Sequence, residues 1–180
     1  MSQPILTTAR LELRPFCLDD AACVQRLAGD RAIADTTLNV PHPYPDGIAE
    51  AWIDTLALGY RAGTLSAFAI VRREDEELVG AMSLKLDREL DKGELGYWVG
   101  RPFWNAGFAT EAAEAVLEYG FESLGLNRIV ARHFVRNPAS GRVMEKIGLL
   151  PEGTARQDAK KWGVYEDLKQ WAILREDWRG

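Results

Sequence analysis

One segment constrains the fold more than any other: WNAGFATEAAEAVLEYGF, residues 104–121. From there on, Ala109, Ala112, Ala113, Val116, Leu117, Phe121 and Leu124 recur at intervals of three and four, while Glu111, Glu114, Glu118 and Glu122 occupy the other side. That is the helical period, with one apolar stripe and one solvated acidic face. Such a helix must bury its stripe against a second layer. Directly before it the chain is poor in side chains, at Ala106 and Gly107. A helix start leaves about four backbone N–H groups unpaired, and the macrodipole adds partial positive charge, so an anion can bind there if nothing blocks it. Ala106, Gly107 and Ala109 keep the backbone bare, and Thr110 adds a hydroxyl donor. On spacing alone two readings stand: a cradle for a phosphate or pyrophosphate, or a glycine that merely opens a helix, since glycine is an acceptable N-cap.

The flanking patterns supply the second layer. TTARLELRPF alternates Leu11 and Leu13 with Glu12 and Arg14, the pattern of a half-buried strand. LDDAACVQRLAG reads as a helix that Asp19 or Asp20 can cap and Gly29 can stop. NVPHPYPDG is a proline-rich loop, and DGIAEAWIDTLALGYRAG a second helix with Ile48, Trp52, Leu56 and Tyr60 on one stripe. SAFAIVRR and ELVGAMSLKL, joined by the charged EDEE, predict a hairpin, and GELGYWVG a fourth strand. After the helix come a fifth strand, LNRIVARHFV, and a short helix, NPASGRVMEKIG, with Asn137 as N-cap, Pro138 at N1 and Gly148 past its end. LLPEGTARQ and VYEDLKQWAILR close the chain as strands. The order β-α-α-β-β-β-α-β-α-β-β predicts a mixed α/β sheet in one layered domain spanning 1–180.

Several function classes are set aside. No run of about 18 apolar residues exists, so no membrane span is expected. The N-terminus lacks the apolar core of a secretory signal, and a cytoplasmic location is expected. Cys17 and Cys23 lack CxxC spacing and read as free thiols, while His42 and His133 are too isolated for a metal site. The net charge of −5 comes without any basic run, which argues against a nucleic-acid groove and is compatible with a cationic substrate.

Two common phosphate loops are missing. GxxxxGK[ST] does not occur, and Gly96 and Gly100 do not form GxGxxG. A third pattern is present. Residues 104–109 resemble the coenzyme A pyrophosphate loop of the GNAT superfamily of N-acetyltransferases, (Gln/Arg)-x-x-Gly-x-(Gly/Ala), with Gly107 and Ala109 at the matching positions and Trp104 where Gln or Arg is usual. With TTARLELRPF, GELGYWVGRPFWNAGFATEA and NPASGRVMEKIGL in that order, nearly the whole chain resembles the Rim-type branch, related to enzymes acting on ribosomal-protein N-termini. The resemblance implies a mostly antiparallel central sheet of about seven strands, a splayed fourth and fifth strand, and about four helices. It also implies acetyl-CoA as co-substrate, an amine acceptor, no metal, and a monomer or homodimer.

By the same resemblance, residues Trp104, Asn105, Ala106, Gly107, Phe108, Ala109 and Thr110 hold the pyrophosphate. Backbone groups of Tyr97, Trp98 and Val99 pair with the pantetheine arm, Trp98 or Val99 offers an N–H to the thioester carbonyl, and Asn137 contacts the arm. The attacked thioester puts charge on oxygen, where one fixed N–H is worth about 3 kcal/mol. The incoming amine must lose a proton, and a carboxylate can take it directly or through water. Glu94, with the strand parity of Gly96 and Trp98, is the first candidate, with Glu166 and Asp167 in reserve. Met144 stands near the position where many relatives carry a tyrosine acid, so Ser140 becomes the candidate donor to the leaving thiolate, with ordinary first-turn helix chemistry as the other reading. Arg142 reads either as a phosphate contact or as a solvated helix residue, and His133 as structural. Tyr44, Trp52 and Tyr60 fall in the region that lines the acceptor side of this family. No Cys or Ser is paired with a His base, so direct transfer is expected. A non-catalytic coenzyme A sensor, another acyl-CoA donor or an O-acceptor are the alternatives.

Overall fold

The structure, a computed structural model, describes residues 2–179. Its strands are β1 (Leu6–Thr7), β2 (Leu11–Arg14), β3 (Leu65–Arg72), β4 (Glu77–Asp87), β5 (Lys92–Val99), β6 (Arg128–Phe134), β7 (Leu150–Lys161) and β8 (Val164–Leu174). The helices are α1 (Ala21–Ala28), α2 (Arg31–Thr36), α3 (Ile48–Arg61), α4 (Phe108–Glu118) and α5 (Pro138–Lys146). All eight strands form one open sheet in the order β1-β2-β3-β4-β5-β6-β8-β7. Every neighbouring pair is antiparallel except β5 and β6. That parallel pair needs a crossover, and α4 supplies it.

The helices divide between two faces. Trp98 packs against the cluster of Ala21, Val24, Ala28, Ala49 and Ile53, which belongs to α1 and α3. Its neighbour Tyr97 reaches Ser140 of α5. Consecutive strand residues point to opposite faces, so α1 and α3 cover one face and α5, with α4 beside it, the other. The predicted stripe of α4 is the core: Ala112, Ala113, Val116, Leu117 and Phe121 are all buried against β-strand side chains such as Met82 and Leu84. One turn of π-helix, Tyr119–Ser123, extends α4.

The differences from the sequence-based expectation are local. Eight strands and five α-helices stand where about seven and about four were predicted. The first expected strand is broken by the turn at Thr8–Leu11, leaving β1 and β2 as separate pieces. Helix α2 is only six residues long, too short to show a period, and its start is fixed by Asp30, whose carboxylate accepts from the Ala32 N–H at 2.8 Å. Gly29 keeps right-handed helical geometry instead of terminating in the left-handed region. Asn137 occupies the N-cap position of α5 but makes no capping bond with its side chain.

Asp20 also departs from its expected capping role. Its carboxylate takes two bonds from Arg14, at 2.8 Å each, and one from the Cys17 N–H at 2.9 Å. The pair clamps the turn from β2 into α1 and so sets α1 over the sheet. Burial by itself pushes the Asp20 carboxyl up, but the Arg14 and Cys17 hydrogen bonds and the Arg14 charge outweigh it and hold the carboxyl below its usual range. A carboxyl depressed in the folded state stabilises the fold above its unfolded value, about 4, and stops doing so as pH falls through the lower, folded value. Asp20→Asn is therefore expected to cost about 3 kcal/mol at neutral pH, or roughly 6–12 °C in melting temperature. The gap between melting curves of both proteins should begin to close below about pH 4 and vanish once pH falls below the depressed folded value; a constant gap from about pH 7 to 2 would show that the charge on Asp20 does not matter.

Candidate active site

Strands β5 and β6 pair only as far as Leu95 and Ala131. Beyond that point β5 stays with β4 up to Val99, and β6 stays with β8 up to Phe134, so the two separate. Gly100 donates its N–H to the Val79 carbonyl at 2.8 Å, one residue outside the Gly80–Val99 pair. That pattern marks the Gly80–Val99 pair as one that exchanges no ladder bonds. By alternation, Tyr97 and Val99 turn their backbone N–H and C=O groups away from β4, into the gap, while Trp98 turns its own toward Ala81 of β4. The indole Nε1–H of Trp104 donates to the Val99 carbonyl at 2.6 Å, which confirms its outward direction. Of the two backbone donors predicted from sequence, Val99 faces the gap and Trp98 does not. Close approach of β4 requires glycine here, since a Cβ on Gly80 would lie 2.3 Å from the Trp98 carbonyl oxygen.

A cleft of about 780 Å³ runs through this gap from one face of the sheet to the other. On the α4 side it is lined by the predicted loop, including Trp104, Asn105, Gly107, Phe108, Ala109 and Thr110. Asn105 and Gly107 both adopt left-handed geometry, at φ 62° and 83°, a conformation asparagine and glycine tolerate. They fold the loop so that the chain enters α4 at Gly107. The N–H groups of Phe108, Ala109 and Thr110 precede the first helical bond, which runs from Glu111 to the Gly107 carbonyl at 3.1 Å. Ala106 alone of the predicted loop residues does not line the cleft; its carbonyl accepts from Arg10 Nη1 at 3.0 Å. Arg10 also donates from Nε to Glu111 Oε2 at 2.7 Å, and Glu111 Oε1 accepts from the Thr8 hydroxyl at 2.6 Å and the Arg10 N–H at 2.8 Å. Glu111 therefore does not belong to the solvated acidic face where the helical period put it: it ties the loop to the β1–β2 turn.

In the gap itself, Glu94 of β5 faces Arg132 of β6. Arg132 donates to Glu94 Oε1 from Nε at 3.1 Å and from Nη2 at 2.8 Å, and from Nη1 to Asp158 Oδ2 at 3.5 Å, while Glu94 Oε2 has no hydrogen-bond partner among the described residues. On the opposite face, the Ser140 and Tyr97 hydroxyls lie 2.7 Å apart. Burial pushes the Tyr97 phenol up to about 12 against the opposing effect of the Ser140 bond, so it is a neutral donor at any ordinary pH. Asn137, free of its expected capping bond, and Arg142 both line the cleft. His133 is buried in its wall with Nδ1 against the Phe134 carbonyl at 2.8 Å; burial holds its imidazole below the usual value, which keeps it neutral. The reserve carboxylates are engaged elsewhere. Glu166 accepts from Arg136 at 2.8 Å, Asp167 accepts from the Gln157 N–H at 2.8 Å, and neither lines the cleft.

On the α1–α3 side the wall is mainly apolar: Ile33, Leu38, Val40, Tyr44, Trp52 and Trp98. The segment that carries Leu38 and Val40 is held by Lys161, whose Nζ donates to both carbonyls at 3.1 and 2.7 Å. Tyr60 lies outside the cleft, its hydroxyl on the Ser2 carbonyl.

Residues 10–150 match the model of the acetyltransferase (GNAT) domain. The chain belongs to the GNAT acetyltransferase family. It is 31% identical to the N-acetyltransferase p20 of Bacillus licheniformis over 97% of this chain and 98% of that protein. Its backbone superposes on a GNAT-family acetyltransferase from Bacillus anthracis with a TM-score of 0.86 at 25% identity, covering 96% and 99% of the two chains. RimJ of Mycobacterium smegmatis, solved with CoA-disulfide, gives 0.84 at 25% identity over 96% and 86%. Its relatives include Rim-type enzymes, as the sequence-based expectation has it, and its activity is acetyl-CoA-dependent N-acetylation.

For a GNAT acetyltransferase, three parts of this site escaped the sequence reading. Arg132 was missed because its meaning depends on the β5–β6 register, which brings it to Glu94 from 38 residues away. Thr8 and Arg10 fall in the segment that the alternation predicts as strand; the broken alternation at Ala9 is the signal that a turn, and hence a polar contact, intervenes. The Tyr97 hydroxyl carries no sequence signal, since its partner Ser140 lies 43 residues away.

Proposed function

We propose that this acetyltransferase moves the acetyl group directly from coenzyme A to a single-charged primary amine carried on an apolar body, such as the N-terminus of a peptide. The observation that carries this reading is the cleft crossing the sheet at the β5–β6 gap, with Glu94 toward one face and Ser140 toward the other. Coenzyme A enters on the α4–α5 side. Its pyrophosphate takes the free N–H groups of residues 108–110, where small residues leave the backbone open and the helix dipole favours the anion. Its pantetheine arm runs along the outward backbone of Tyr97 and Val99 and past Asn137, as a short extra strand would. The Val99 N–H then receives the thioester oxygen as charge develops on it.

The amine arrives from the α1–α3 side. Glu94 Oε2 takes its proton, directly or through water, while Arg132 holds Oε1. Nitrogen then bonds to the carbonyl carbon and gives up its second surplus proton to solvent at the acceptor mouth, the C–S bond breaks, its electron pair stays on sulfur, and the Ser140 hydroxyl hydrogen-bonds the thiolate. Among the described residues lining the cleft, Glu94 is the one carboxylate. A polyamine or aminoglycoside would bring several charges to an apolar wall with nothing to pair them, which is costly. The whole span 1–180 acts as one acetyltransferase domain in the cytoplasm, where Cys17 and Cys23 remain free thiols.

Thiol release from acetyl-CoA, measured against N-terminal peptides, apolar monoamines, spermine and an aminoglycoside, tests the reading. Turnover of the first two classes and not the last two is expected. Coenzyme A binding without thiol release from any amine would make the protein a sensor, and preference for a longer acyl-CoA would move the donor.

Gly107→Glu places a negative side chain at the helix start and forces a non-glycine residue into the left-handed region. Calorimetry should find coenzyme A affinity lowered more than about tenfold, a loss of over 1.4 kcal/mol, in a protein that still folds. Unchanged affinity would remove the loop from the coenzyme site. Glu94→Gln should lower kcat at neutral pH by about 10²-fold or more, the scale of a lost general base, and leave acetyl-CoA affinity nearly unaltered. Wild-type kcat from pH 6 to 9 would exclude Glu94 as the base.

A further inference from the structure

We propose that the Tyr97 hydroxyl is a positioning group for the leaving thiolate: it holds the Ser140 hydroxyl so that the serine proton points into the gap where the C–S bond breaks. The proposal rests on the reading of Ser140 as the thiolate's hydrogen-bond donor.

The geometry is specific. Tyr97 comes from β5 and Ser140 from the first turn of α5, and their oxygens are 2.7 Å apart. The Tyr97 oxygen also lies 3.3 Å from the Ser140 carbonyl. Two proton arrangements follow. In one, the serine donates to the phenol and the phenol donates to the Ser140 carbonyl, leaving no proton for a ligand. In the other, the phenol donates to the serine oxygen, and the serine proton is released toward the cleft. A phenol is a stronger acid than an aliphatic hydroxyl and hence the better donor, so the second arrangement is favoured as soon as an anion appears beside the serine. Sulfur becoming a thiolate is such an anion. Chained hydrogen bonds polarise one another, which strengthens the serine as a donor when it is itself an acceptor.

No proton has to leave Tyr97. The phenol is buried and titrates at about 12, whereas a thiol titrates near 8.5. Full transfer from Tyr97 to the thiolate would therefore run uphill. The C–S electron pair goes to sulfur, Ser140 and Tyr97 keep their protons, and the thiolate is protonated by solvent or leaves as the anion. This arrangement also relieves the chain of the tyrosine acid that Met144 does not provide: Met144 is fully buried in the core and carries no donor.

The test is a double-mutant cycle on kcat and on KM for acetyl-CoA, using an amine that the wild type acetylates. Tyr97→Phe keeps the ring and its packing and removes only the hydroxyl. It should lower kcat by about three- to tenfold with KM within twofold, since the bond matters most when sulfur is charged. Ser140→Ala should lower kcat by about ten- to a hundredfold, the scale of leaving a charged group unpaired. The double variant should match Ser140→Ala within about twofold, because the phenol acts only through the serine. Normal kcat in Tyr97→Phe beside an impaired Ser140→Ala overturns the inference while leaving Ser140 in place. Multiplicative losses in the double variant also overturn it, by making the two hydroxyls independent. A fully active Ser140→Ala overturns the serine reading itself, and the inference with it. Melting curves separate all of these from misfolding. If Tyr97→Phe melts below the assay temperature, the cycle is run below that melting temperature, where normal kcat in Tyr97→Phe or multiplicative losses in the double variant overturn the proposal.

Discussion

A parallel strand pair that stops halfway is the constraint on which this molecule is built. Strand β5 has committed the N–H and C=O groups of every second residue to β4, and the others must find partners elsewhere. Up to Leu95 those partners come from β6. Past Leu95 they come from nothing in the sheet, because β6 has followed β8 instead. Buried backbone groups left unpaired cost free energy, so the gap is held open by what surrounds it: the Trp104 indole on the Val99 carbonyl, Gly80 pressed against the Trp98 carbonyl, and α4 wedged across the crossover. An extended ligand with amide groups answers that deficit in the way an added strand would. The opening is thus a binding device produced by the same hydrogen-bond requirement that holds the rest of the sheet closed.

Charge is arranged around the gap so that most acids are unavailable to chemistry. Arg10 takes Glu111, Arg14 takes Asp20, and Arg136 bridges Asp35 and Glu166. Each pair pins a segment next to the cleft: the loop that opens α4, the start of α1, and the meeting of α2 with the β7–β8 hairpin. Among the described residues only the Arg132–Glu94 pair lies inside the opening, and there Glu94 Oε2 has no partner. The net charge of −5 would have been a poor guide to this. The acids that produce it sit mostly outside, while Arg132, Arg142 and Lys146 line the cleft. A polyanionic coenzyme and a single-charged amine fit that distribution better than a polycation does.

What was legible in the sequence followed the length over which a pattern persists. Helix α4 spans three turns with Ala112, Val116 and Leu117 in phase, so its stripe and its glycine-containing start were readable together. The β3–β4 hairpin and its EDEE turn were readable for the same reason. Helix α2 and strand β1 were not, since six residues and two residues carry no period. Distance along the chain set the other limit. Glu94 and Ser140 were identifiable as chemical types, but what each of them touches is 38 and 43 residues away, and no local pattern encodes the register that joins them. Asn137 failed in the opposite direction: its local signature as a cap was correct in position, yet its side chain is left free beside the cleft.

The placement of Glu94 and Ser140 toward opposite faces has a consequence for how protons move. In a nucleophile-type enzyme one base serves both halves of the reaction, handing the proton of the attacking group to the leaving group. Here the elements for that are separated. His133 holds its Nδ1 proton on the Phe134 carbonyl and is not bonded to Ser140, whose oxygen is already engaged by Tyr97. Cys17 and Cys23 do not line the cleft. On the proposed roles of Glu94 and Ser140, the proton taken from nitrogen on the α1–α3 side has no path to sulfur on the α5 side through these described side chains. In that mechanism it leaves through the acceptor mouth, and the thiolate meets its own proton from solvent on the coenzyme side. With sulfur only mildly basic at neutral pH, this separation carries little penalty. In the proposed mechanism nitrogen deprotonation is then the step most sensitive to pH, which concentrates the demands of the chemistry on Glu94 Oε2.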